Sequence, residues 1–404
     1  MSQTKVLVGF AEALAAPEVV WSLVDAGFRV EAFARRGRAS ALRHSKHVIC
    51  HDICPAESDI QQSLLELQSL VDSVGSQGAD GCTIIFPLDD TSVWLCSRMK
   101  SSDSWLLAGP SGSRADLALV KHLQVAAARE AGFKVPNTAL VKNTNEVFAF
   151  CGTEAFPVIL KADECIPLVQ GRAYSCRKWI CANRAELDRA VNEWQERVPL
   201  LAQSFITGVG EGVFGLAAQE GVRAWSGHHR VRMMNPLGSG SSACESQSVS
   251  EDVKHYAHRM MTSAGWNGLF MLELLRDEQG DIWFVELNGR PWGSMALCRR
   301  QGLEYPAWHV QLAMNQSSRA GMNVAARPEI VCRHAGREFM HMLFVLRGAR
   351  SNALNRWPSF WKTAWEMLHF RKQDGIYNWR WDDKKVFLAD FYYTIHNNVF
   401  KGRN

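Results

Sequence analysis

The chain has 404 residues, 47% hydrophobic and 21% charged, which suits a globular protein of about two to four packed units. A net charge of +4 gives no general signal for nucleic acid, and 11 cysteines, an odd number without a repeated CxxC pair, argue against a disulfide framework or a zinc site. The opening MSQTKVLVGFAEAL is too quickly interrupted for a signal peptide and no run approaches a membrane span, so a cytoplasmic location is expected.

Lys5–Gly9 reads as a buried strand, followed by a helix over Pro17–Ala26 and a second strand over Arg29–Ala34. Further strands are expected at Val48–Cys50, Thr83–Phe86 and Leu106–Ala108, with a helix over Ile60–Val74. This alternation predicts a parallel, doubly wound sheet over residues 1–108, a Rossmann-like unit in an α/β setting. Its first turn, Gly9-Phe10-Ala11-Glu12-Ala13, lacks GxGxxG, so no dinucleotide is expected. Asp89 and Asp90 follow a strand; they read as caps of the next helix, with contact to a second substrate as the alternative.

From Asp116 a helical run extends to Gly132, and on periodicity alone its Lys121 is a solvated helix lysine. Phe156–Lys161 is an apolar strand ending in lysine, and an ammonium there belongs over a cleft rather than inside the sheet. A helix over Arg184–Arg197 leads to the strand Leu200–Ile206, then to a turn through Gly208-Val209-Gly210-Glu211-Gly212. In the strand-like Trp225–Met234, alternation puts Arg230 and Arg232 on one face, while the adjacent His228 and His229 point to opposite faces and make a poor metal pair. The densest pattern is GLFMLELLRDEQGDIWFVELNGRPWGS, residues 268–294. It reads as a hairpin in which Glu286 and Asn288 share a face and Glu273 meets them across the pair. Two carboxylates and an amide oxygen among apolar residues suit Mg²⁺ or Mn²⁺. The alternative is a cross-strand pair on a solvated face with Arg290 as counter-ion.

A strand bearing Glu, a hairpin, and a strand ending Glu-x-Asn-x-Arg resembles the metal-binding end of the ATP-grasp superfamily. The resemblance covers roughly residues 1–315 and implies a two-lobed ATP-grasp unit, of mixed α/β and α+β character, over 109–315 behind the N-terminal domain. It implies Glu273, Glu286 and Asn288 as metal ligands and Arg290 on phosphate, with Arg230 or Arg232 offsetting charge on the transferred phosphoryl group. Lys121 and Lys161 match the two phosphate-binding lysines, Gln203 and Ile206 the adenine contacts, and Glu211 a ribose ligand. ATP and Mg²⁺ or Mn²⁺ are the implied cofactors. The implied reaction joins a carboxylate to an amine through an acylphosphate; a phosphotransferase, or a silent nucleotide-binding module working through the C-terminal extension, are the rivals. One departure stands out: the flap, ADECIPLVQGRAYS over 162–175, has a single glycine where the family is glycine- and serine-rich. After the metal hairpin a helix is expected to run from Gly293 past Gly302 to about Pro306 and to close the nucleotide-binding unit.

Residues 316–404 form a helical, aromatic extension. Residues 345–404 carry 11 Lys plus Arg against 5 Asp plus Glu, a net of +6, and 13 of the 40 aromatics. Trp361, Trp365 and Leu368 share a helix face beside Lys362, Arg371 and Lys372. This face is expected to pack onto the nucleotide-binding unit, the alternatives being an anionic membrane surface or a docking site for a sugar or partner protein.

Overall fold

The computed structural model describes residues 4–75, 82–236, 240–316, 329–348 and 357–399. Five parallel strands, β1 (Lys5–Gly9), β2 (Arg29–Arg35), β3 (Ile49–Ile53), β4 (Thr83–Pro87) and β5 (Trp105–Leu107), form a sheet of order β3-β2-β1-β4-β5. Helices α1 (Ala16–Asp25), α2 (Ile60–Gly75) and α3 (Asp90–Cys96) cover it. Every residue of β1 is buried, as expected of a parallel strand covered on both faces; its one charge, Lys5, donates to the Val74 carbonyl at 2.8 Å. Asp89 caps α3 by accepting from Ser92 N at 2.8 Å, the capping role expected from the sequence.

The helical run after Gly112 is not continuous. It divides into α4 (Ser113–Leu119) and α5 (Lys121–Ala131), because Val120 is extended (φ −118°, ψ 111°) and bridges Glu164. Asp163 holds the break open: its carbonyl accepts from Lys121 N at 2.9 Å and its carboxylate accepts from His122 N at 2.9 Å. Lys121 thus begins a helix instead of lying within one. Gly132 ends α5 at φ 106°, where a residue with a side chain would be strained.

The small lobe contains β6 (Thr138–Val141), α6 (Thr144–Thr153), β7 (Val158–Ala162), β8 (Leu168–Val169), β9 (Arg172–Ala173), β10 (Trp179–Cys181), α7 (Arg184–Trp194) and β11 (Leu200–Ser204). Its antiparallel sheet has the order β10-β7-β11-β6. Val158, Leu160, Leu200 and Ala202 pack against Val147 of α6 and Leu187 and Trp194 of α7. Alternation therefore turns Ile159, Lys161, Leu201 and Gln203 to the other face.

The large lobe is built on β12 (Val209–Ala218), β13 (Gly221–Met233), β14 (Ser241–Gln247), β15 (Gly268–Arg276) and β16 (Ile282–Asn288), with α8 (Glu251–Ser263), α9 (Met295–Arg300) and α10 (Tyr305–Ala313). Helix α9 stops at Arg300, short of the expected Pro306: Gly302 turns at φ 86° and Pro306 sits in the first turn of α10, where its missing N–H costs nothing. The C-terminal segment supplies β17 (Val331–Arg333), α11 (Ala335–Arg347), α12 (Phe360–Leu368), β18 (Gly375–Ile376) and α13 (Lys384–Val399). Strands β17 and β18 complete one seven-stranded sheet, β16-β15-β12-β13-β14-β17-β18.

The aromatic face of α12 does not pack inward. Trp361 is 79% exposed, Trp365 65% and Leu368 80%. The polar side is held instead: Arg232 takes Glu366 at 3.2 Å, and Arg333 donates to the carbonyls of Met367 at 2.8 Å and His369 at 2.6 Å. Unpaired groups at a helix end and buried guanidinium groups satisfy each other, and that decides which side faces in. No helix among the described residues is long and apolar enough to cross a membrane. All eleven cysteines are free.

Candidate active site

The hairpin of β15 and β16 places Glu273 directly opposite Glu286, and Met271 opposite Asn288. An extra residue in β16, Val285, sits against the Glu273–Leu274 step and tightens the local twist. Glu273 also faces Gly212 of β12, which faces His228 of β13, so one row crosses four strands: His228, Gly212, Glu273, Glu286. The glycines of β12 matter here for their missing side chains. A Cβ on Gly212 would lie 2.6 Å from His228 Nε2, and one on Gly210 would lie 2.9 Å from Arg230 Cδ. Arg230 uses that gap to cross β12 and donate to Glu273 Oε2 at 2.9 Å.

Two lysines converge on the Glu286 side. Lys121 Nζ is 3.4 Å from the Cys165 thiol, which is itself 3.9 Å from Glu286 Oε1. Burial raises the pKa of Glu286; Lys121 opposes the rise, Glu273 adds to it, and Lys161 opposes it. Burial lowers that of Lys161, and Glu286 only partly offsets the shift. Cys165 is pushed up to about 12, chiefly by burial, and is a neutral thiol. Burial works against the Arg290 charge, but Asp90 outweighs it through bonds of 2.8 and 3.3 Å. The counter-ion of Arg290 is therefore Asp90 of α3, and that of Glu273 is Arg230.

Gln203 is buried on β11, where its amide donates to Thr138 Oγ1 at 2.7 Å and keeps its carbonyl oxygen as an acceptor; Ile206 follows, half-buried. Gln203 and Lys161 share the face of the small sheet turned from α6 and α7. Two residues named from the sequence are not brought into this cluster. Glu211 is clamped by Arg276 at 2.6 and 3.0 Å and alternates to the face opposite Gly212. Arg232 does not share a face with Arg230, because a register shift at Val231 turns it toward Glu338 at 2.8 Å.

The flap expected over 162–175 contains a short hairpin, β8 and β9, turning at Gln170 (φ 50°) and Gly171 (φ 76°). It rests on the N-terminal sheet's connections: Ile60 N donates to the Gly171 carbonyl at 3.1 Å and Ala173 N to that of Ala56 at 2.9 Å. The single glycine serves this turn.

A cavity of about 620 Å³ opens beyond the C-terminal ends of β1 and β2, lined among others by Glu12, Leu14, Arg38, Arg337, Asp390 and Asn397. A Cβ on Gly293 would lie 2.8 Å from Leu14 Cδ2, so the cavity adjoins the loop that follows Arg290. Glu12 is linked toward the same loop through Arg35, which bonds Glu12 at 3.3 Å and Asp89 at 2.9 Å. Burial lowers the Arg337 pKa, and among the described residues no carboxylate pairs with it. No short motif marks this cavity; only the end-of-strand rule for parallel sheets pointed toward it.

No protein-family profile matches the chain, and no curated protein matches its sequence. Solved structures do match in fold. The biotin carboxylase domain of 2-oxoglutarate carboxylase from Hydrogenobacter thermophilus, solved with MgADP, ADP and bicarbonate, gives a TM-score of 0.61 at 17% identity over 81% of this chain and 73% of that one. The L-amino acid ligase of Bacillus licheniformis gives 0.59 at 14% identity, over 81% and 78%. The N5-carboxyaminoimidazole synthetase of Staphylococcus aureus complexed with ADP gives 0.57 at 12% identity, over 80% and 78%. The hairpin with its opposed carboxylates, the two lobes and these likenesses together lead to one statement: this chain has the fold of the ATP-grasp superfamily.

Proposed function

We propose that the protein is an ATP-dependent ligase that joins a carboxylate to an amine through an acylphosphate, releasing ADP and phosphate. The observation that carries this reading is the direct opposition of Glu273 and Glu286 within a ring of cations, Lys121, Lys161, Arg230 and Arg290. Paired carboxylates disfavour each other's charge, and a divalent cation relieves both. Their oxygen-only donor set, with Asn288 beside Glu286 on one strand face, fits Mg²⁺ or Mn²⁺. When bound, such an ion would neutralise phosphate oxygens.

The chain's own residues supply the rest. Lys161 and Lys121 bind phosphate oxygens, and Gln203 accepts from the adenine amino group with Ile206 against the base. Arg290 exchanges its Asp90 contact for the transferred phosphoryl group, and Arg230, lying across Gly210, stabilises the same charge from the other side. The acceptor carboxylate attacks the γ-phosphorus and displaces ADP; the amine then attacks the acyl carbon and displaces phosphate. We read residues 1–108 as a Rossmann-like domain that gives the acceptor its cavity, 109–315 as the ATP-grasp unit, and 316–404 as an aromatic extension. A carboxylate acceptor suits Arg337, which lines the cavity, donates to the Ser241 carbonyl at 3.0 Å and has no ion pair among the described residues. The biotin carboxylase domain with MgADP and ADP, the synthetase with ADP and the L-amino acid ligase support this reading by analogy of fold.

Cys165 favours a second reading, a nucleotide-binding module without turnover, since its thiol sits between Lys121 and Glu286 where phosphate would lie. ADP release measured with Mg²⁺, ATP and pools of amino acids and other carboxylates separates the two. Release that needs both a carboxylate and an amine is expected. Release without an amine, with a phosphorylated product, makes the protein a phosphotransferase; saturable ATP binding with no release makes it the silent module.

A further inference from the structure

Helix α12 is fastened by its polar side and presents its apolar side to solvent. Thr363 is 4% exposed and Glu366 is tied to Arg232 of β13 at 3.2 Å, while Arg333 of β17 holds the carbonyls of Met367 and His369. Turning Trp361, Trp365 and Leu368 inward would break all of these contacts. The outward face is therefore built into the fold, and leaving two indoles and a leucine in water forgoes the burial that such side chains ordinarily achieve.

The surroundings say what covers it. Among the described residues, every large aromatic side chain that is strongly exposed belongs to the segment from Phe339 onward, with Phe370 at 49% just past the helix. Lys362 and Lys372 flank the patch, exposed and without an ion pair among the described residues. The nearby carboxylates are already spoken for: Glu366 by Arg232, and Asp374 by Arg371. The face is thus apolar at its centre and positive at its rim. Indole rings favour the boundary between hydrocarbon and headgroups, and lysines can lay their stems along the apolar surface while their charges reach anionic groups. A protein groove would call for carboxylates to meet those lysines; an anionic bilayer offers the same charge with no fixed shape, which suits a nine-residue helix lying flat.

We propose that α12 docks the protein on an anionic lipid surface through Trp361, Trp365 and Leu368, with Lys362 and Lys372 supplying the charge attraction. The attachment is peripheral, and it stands whatever reaction the active site performs. The full chain is spun with vesicles of phosphatidylcholine, with and without phosphatidylserine, beside the variants Trp361→Ser with Trp365→Ser, and Lys362→Glu with Lys372→Glu. Both pairs lie on the exposed face, so unchanged melting curves are expected and confirm folding. Wild type should pellet with the phosphatidylserine vesicles and shift its tryptophan emission to the blue; each double variant should bind at least about tenfold more weakly. Binding that is equal with and without phosphatidylserine, or unchanged in the tryptophan variant, overturns the proposal. So does self-association in sedimentation velocity that the tryptophan variant abolishes while wild type ignores vesicles, which would make a second copy the occupant.

Discussion

Two groups of charges, one on the seven-stranded sheet and one that spans it and the four-stranded sheet, are balanced in opposite ways. In one, Arg232 is closed on Glu338 and Glu366, and Arg276 on Glu211; each buried or half-buried charge has its counter-charge within 3.2 Å. In the other, Glu286 faces Glu273 across the hairpin, and Lys161, with burial pulling its pKa down, has no carboxylate in contact among the described residues. Closed pairs hold elements together: Arg232 ties β13 to α11 and α12. Lys161 ties no element to another through an ion pair among the described residues, and under the proposed function a bound phosphate would supply the missing counter-charge.

The largest difference is expected in turnover. Replacing Glu273 by Ala should lower ATP-dependent ADP release about 100-fold or more, with little loss of stability because its contact with Arg230 is partly exposed. Steady-state kinetics beside a urea melt checks both halves; a stability loss as large as the activity loss would erase the distinction. Next in size, Arg232→Ala should cost about 3–5 kcal/mol in urea unfolding, since it leaves Glu338 buried and unpaired, whereas Arg232→Met combined with Glu338→Leu should recover most of that loss. A smaller effect concerns pH. His228 and His309 are each pushed down from 6.5 to about 3, chiefly by burial. A histidine with a depressed folded-state pKa binds fewer protons folded than unfolded, so its contribution is present above pH 6.5 and is lost as pH falls toward 3. His309 lies away from the carboxylates, against Phe86 at 5.1 Å, so His309→Leu should flatten the fall in unfolding free energy across that window by up to about 1.4 kcal/mol per pH unit. Urea titrations at stepped pH give the slope directly; an unchanged slope would mean that His309 titrates normally.

What was legible in the sequence follows from how local its causes are. The hairpin and the meeting of Glu273 with Glu286 could be read because strand alternation and a polar turn fix them within some twenty residues. Lys161 was legible as a charge ending an apolar run. The break at Val120 was not, since the groups that impose it, Asp163 and Glu164, come from the flap. Arg232 was misplaced because a one-residue bulge at Val231 turns it to the other face from Arg230, and nothing in Val-Arg-Met announces one. Arg290 shows its charge in sequence but not its partner, Asp90, 200 residues earlier. Helical periodicity told correctly that Trp361, Trp365 and Leu368 share a face; which face turns inward was decided by Arg232 and Arg333 on other elements.

The most direct test of the open cluster is the melting temperature of wild type and Glu286→Ala with ATP, with Mg²⁺, and with both. A ligand that binds only the folded state at about 100 times its Kd adds about 2.7 kcal/mol, which a melt resolves easily. Wild type should rise clearly with ATP and Mg²⁺ together and less with either alone, and Glu286→Ala should not rise. No rise in wild type at saturating ATP, or an equal rise in the variant, would contradict this expectation.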